Sequence, residues 1–88
     1  MPAIERIQTG VRMERRLIKV LKALAEERDM SLGDLLEGIV LHAFEGKQPF
    51  SKATRERIEM LRGVYGLDLT ATDSHALREP EERRAPRR

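Results

Sequence analysis

The sequence predicts a mainly α-helical chain with one short N-terminal strand, three helices and a charged, disordered C-terminal tail, working as an intertwined homodimer. Three observations carry this expectation. Residues Ile7 to Met13 alternate in polarity, apolar side chains recur at helical spacing from Leu17 to Phe44, and the short break D-M-S-L-G divides that stretch into two helical runs. An alternating run of about seven residues finds no second strand elsewhere in this chain, which leaves a copy of itself as the expected partner.

In the expected strand, Ile7, Thr9, Val11 and Met13 point one way and Gln8, Gly10 and Arg12 the other, because successive side chains alternate across a pleat. The first helix is expected from Glu14 to about Arg28, with Leu17, Leu21, Leu24 and Ala25 on one stripe and Ile18 widening it. Asp29 follows at the turn, where its side chain tolerates the left-handed conformation. Ser31 with Asp34 resembles a capping box, so the second helix starts near Leu32. Its apolar positions Leu35, Leu36, Ile39, Val40, Ala43 and Phe44 make a stripe too wide for one short partner helix. A dimer core of Val11, Met13, Leu17, Leu21, Leu35, Leu36, Ile39, Val40 and Phe44 is therefore expected.

Gly46 and Pro49 end the second helix, and Ser51 caps a third that runs to Tyr65 with Ile58, Leu61, Val64 and Tyr65 on one side. Gly66 and Leu67 suit a Schellman-type ending. L-D-L-T-A-T reads as a short extended piece or turn, and from Asp73 onward charge and proline predict disorder. The expected organisation is a dimerisation unit over 7–46, a helical extension over 47–72 and a tail over 73–88.

The 88 residues allow one domain, whose modest core favours association. Cysteine is absent, so disulfides and thiolate metal sites are excluded. No stretch approaches the roughly 20 apolar residues of a membrane span and the first residues lack a secretory pattern, so a cytoplasmic protein is expected. Charge is unevenly spread: residues 1–16 carry +2, 17–46 carry −3, 47–64 carry +3 and the rest balances. His42 has no second histidine at metal-ligand spacing, and no nucleophile, base and orienting group can be assembled. Neither cofactor, metal nor enzymatic activity is expected.

Strand, helix, short turn and helix, with V-R-M-E leading into L-I-K-V-L-K-A-L-A-E-E-R-D-M-S-L-G-D-L-L, resembles the ribbon-helix-helix family of Arc/MetJ/CopG-type DNA-binding proteins over about residues 7–45. The resemblance implies an antiparallel two-stranded ribbon in the major groove of double-stranded DNA, with Gln8, Gly10 and Arg12 facing the bases. Arg12 suits guanine and Gln8 adenine, whereas Gly10 has no side chain with which to read a base. It also implies that the amides near Leu32 and Gly33, helped by Ser31, hold a DNA phosphate. Arg6, Arg15 and Arg16 are positioned to reach phosphates from the flanks. Glu14, Gly33 and Asp29 depart from the commoner residues of that family.

The expected function is a homodimeric, sequence-specific DNA-binding protein acting as a transcriptional repressor. Two alternatives stand beside it. One is an antitoxin whose residues 47–88 bind a toxin, and the other a dimeric protein-interaction module without DNA binding. A helix-turn-helix reader is disfavoured, because the second helix offers only Asp34, Glu37 and Glu45 as charged groups.

Overall fold

A computed structural model describes residues 3–78, and of the expected tail over 73–88 the residues 79–88 lie outside them. Among the described residues the regular elements are three α-helices, α1 (Arg15–Glu27), α2 (Leu32–Phe44) and α3 (Lys52–Tyr65), followed by a short 3-10 turn at Ala71–Asp73. No helix among them is long and apolar enough to cross a membrane.

The helices begin and end where local chemistry dictates. Glu14 lies outside α1 and caps it, its Oε1 accepting from the amides of Arg16 at 2.9 Å and Leu17 at 3.1 Å. The Ser31 hydroxyl accepts from the amide of Asp34 at 3.1 Å, and that of Ser51 from Thr54 at 3.2 Å. Asp29 turns the chain after α1 with φ 55°. Gly66 ends α3 at φ 66°, a left-handed conformation that a side chain would strain, and the Leu67 amide returns to the Arg62 carbonyl at 2.9 Å.

Helix α1 is the middle of the body: its backbone comes close to both α2 and α3, while the backbones of α2 and α3 stay apart. Val20, Leu24 and Ala25 from α1, Leu35 from α2, Leu61 from α3 and Leu67 form the buried core. Leu17, Leu21, Ile39, Phe50, Ile58 and Leu69 close its rim. Thr54 is the one buried polar side chain among the described residues, and its hydroxyl accepts from the guanidinium of Arg28. Two ion pairs tie α1 to α3 and the segment beyond it: Glu27 to Arg57 at 2.6 Å, and Arg16 to Asp68 at 3.1 Å with a further bond to the Gly66 carbonyl at 2.9 Å.

The expected strand is not formed, and this corrects both the fold class and the family resemblance. Residues 3–14 form an arm without helical or strand hydrogen bonding, and no strand or sheet occurs among the described residues. A ribbon-helix-helix fold needs a β-ribbon; this chain is a small three-helix globule. Alternation marks a strand only where a neighbouring strand supplies the ladder and a surface covers the apolar side. Here Ile7, Val11 and Met13 are all exposed. The intertwined ribbon dimer is withdrawn with the ribbon.

The acidic cap makes a testable contribution. Partial burial raises the Glu14 pKa, but the hydrogen bonds from Arg16 and from the amides of Leu17 and Arg16 outweigh it, so the carboxyl ends below its ordinary 4.5. A depressed carboxyl contributes stability above its unfolded pKa and loses it as pH falls through the folded value. Glu14→Ala is therefore expected to cost about 1 kcal/mol in urea unfolding at neutral pH. The difference from wild type should shrink well below pH 4.5, where the wild-type carboxyl is itself protonated. An equal difference at both pH values would remove the charged-cap role.

Candidate nucleic-acid interface

The residues expected to face DNA are distributed over three places. Gln8, Gly10 and Arg12 sit exposed on the arm. A side chain at Gly10 would meet nothing within 4 Å, so neither crowding nor a left-handed backbone demands glycine there. Ser31, Leu32 and Gly33 open α2. The Ser31 hydroxyl is already occupied as the cap, Leu32 is half-buried and Gly33 is exposed.

Carboxylates line this opening of α2. Asp34 and Glu37 follow within its first two turns, and Arg6 reaches across from the arm to them. Its guanidinium donates two parallel hydrogen bonds of 2.9 Å to Glu37 and lies 3.7 Å from Asp34. The hydrogen bond with Glu37, helped by its charge, raises the Arg6 pKa and holds the Glu37 carboxyl below its ordinary range. Arg6 is thereby committed to fastening the arm onto α2.

Arg16 is committed as well. Its guanidinium meets Glu14 at 3.0 Å, Asp68 at 3.1 Å and the Gly66 carbonyl, and the hydrogen bond to Glu14 raises its pKa. Arg57 is held in the same way by Glu27, whose carboxyl is depressed by that hydrogen bond. Arg15 is different. It is exposed at the first position of α1 and shares an outward side with Lys19 and Lys22, at i, i+4 and i+7. Sequence reasoning sets Arg15 beside the arm and passes over Lys19 and Lys22, although that helical spacing is the available signal.

The residues expected to form a dimer core also divide. Leu35 is buried within one copy, Leu17, Leu21 and Ile39 pack on the core, and Leu36 is half-buried. Val11, Met13, Val40 and Phe44 are exposed, Phe44 at 82%.

A cleft of about 250 Å³ lies between α2 and the start of α3, lined by Leu35, Ile39, His42, Phe50 and Thr54 with Arg28 at its edge. The Nδ1 of His42 is 2.7 Å from the Gly38 carbonyl and Arg28 is engaged by Thr54, so both polar groups already have partners. No cluster of three or more His, Asp or Glu suited to a metal ion occurs among the described residues. Compared with protein families, with curated proteins and with solved structures, the chain matches none.

Proposed function

We propose that this chain is a homodimeric, cytoplasmic DNA-binding protein that acts as a transcriptional repressor, contacting its operator without a β-ribbon. The observation that carries the reading is the uneven distribution of charge along the chain. Residues 3–22, the arm and the first half of α1, hold six cations and two carboxylates, a net +4. Residues 23–46 hold one cation and six carboxylates, a net −5. Residues 47–64 carry a further +3, so cationic stretches flank the acidic one, and such stretches attract a polyanion.

Dimerisation rests on apolar surface. Among the described residues six apolar ones are buried in one copy while twelve large ones are exposed, including Ile7 and Val11 on the arm and Val40, Leu41 and Phe44 on α2. Among the described residues no further helix covers them, and a second copy supplies an equal apolar surface and doubles the cationic stretches.

Fluorescence anisotropy on a mixed-sequence duplex tests the DNA reading. Binding is expected at low salt and should weaken steeply between about 50 and about 200 mM. Absence of binding at the low-salt end would overturn the reading. Selection from a random duplex pool then reads out the operator and the symmetry of its half-sites.

A further inference from the structure

Three cations on α1 differ from their neighbours. Arg15, Lys19 and Lys22 are exposed on one side of the helix, turned away from Val20 and Leu24 in the core. Arg6, Arg16 and Arg57 are each closed onto a glutamate at 3.0 Å or less, whereas none of these three makes an ion pair with a carboxylate among the described residues. Lys19 lies with its ammonium 6.0 Å from the ring centre of Tyr65. That contact steadies the side chain and leaves its charge uncancelled.

The strip also has a useful length. Seven residues at about 1.5 Å rise give about 10 Å from Arg15 to Lys22. With the winding added to about 3.4 Å of axial rise, neighbouring phosphates of one strand lie about 7 Å apart, so three long side chains anchored over about 10 Å can reach up to about three successive phosphates. The other sides of α1 pack against α2 and α3, which leaves the strip facing outward.

We propose that the strip Arg15, Lys19 and Lys22 on α1 is the surface that seats the phosphate backbone of double-stranded DNA. This assignment rests on the DNA-binding reading above and deepens it, moving the contact from the arm and the start of α2 to the outer side of α1.

The test compares full-length wild type, R15Q/K19Q/K22Q, and K47Q/K52Q/R55Q, which removes the same charge elsewhere, in salt titrations on one duplex. Glutamine is nearly as good a helix former as lysine or arginine, so far-ultraviolet circular dichroism should match wild type. A K19Q/K22Q double variant serves if the first turn of α1 is disturbed. The strip variant is expected to lose at least about tenfold in affinity at low salt, and its log–log salt slope should fall by about 2.7 per chain. The control should keep a slope within about one of wild type.

Each other result decides against something definite. Equal losses in both triple variants would show that only net charge matters and overturn the strip. Wild-type affinity in the strip variant would overturn the strip and leave DNA binding standing. Failure of wild type to bind at low salt would overturn the parent reading, and the strip with it. Strip-dependent binding to phosphatidylserine-containing vesicles, without strip-dependent DNA binding, would assign the surface to a membrane instead.

Discussion

Leu24→Ala is expected to destabilise the chain by about 3 kcal/mol, the largest effect of any single truncation in the core. Leu24 is 2% exposed, the most deeply buried residue of the cluster, on the helix that α2 and α3 both pack against. Removing its isobutyl group forfeits the transfer free energy and leaves a void that two docked helices must share. For a body whose whole stability is on the order of 4–13 kcal/mol, that loss is a large fraction. The melting temperature should fall by roughly 10–20 °C, a shift that differential scanning calorimetry reads directly. A change of less than about 1 kcal/mol would mean that the core does not centre on α1.

Phe44→Asp is expected to do the reverse: to leave the fold intact and break the assembly. The ring is 82% exposed at the end of α2 and contributes nothing to the buried cluster, so helix content should be unchanged. Burying a phenylalanine is worth about 2 kcal/mol in each copy, so a symmetric interface that uses it should weaken by roughly a thousandfold in dissociation constant. Sedimentation equilibrium of wild type and variant checks this. A wild type that remains a single chain at working concentration would dispose of the homodimer, and an equally tight F44D dimer would move the interface away from the end of α2.

The helices are legible in the sequence because their signals are local. Ser31 and Ser51 announce helix starts through hydroxyls that reach amides three residues on, and Gly66 announces an end through a backbone angle glycine adopts without strain. The arm misleads because alternation describes side-chain polarity, whereas a strand also needs a ladder partner, and Ile7 to Met13 have none among the described residues. Glu14 looks like a charge that would repel DNA, yet it caps α1 and neutralises Arg16. Arg6 looks available for phosphates, yet its partner Glu37 lies 31 residues away, and Asp68, which joins Glu14 on Arg16, lies 52 residues away. Pairings at such separations are set by how helices dock and leave no mark in local periodicity. The strip on α1 can be read from spacing alone, but its significance emerges only once the neighbouring cations are found to be spoken for.

Because the backbone of α2 comes close to α1 and not to α3, and Leu35 is its one buried side chain, it is the helix that can detach while the other two stay docked. Its exposed end is also where a second copy is proposed to sit. Order in α2 and association would then reinforce each other by mass action, so that dilution loosens the same helix that concentration fastens, and the amide protection of residues 32–44 becomes a gauge of how much protein is present.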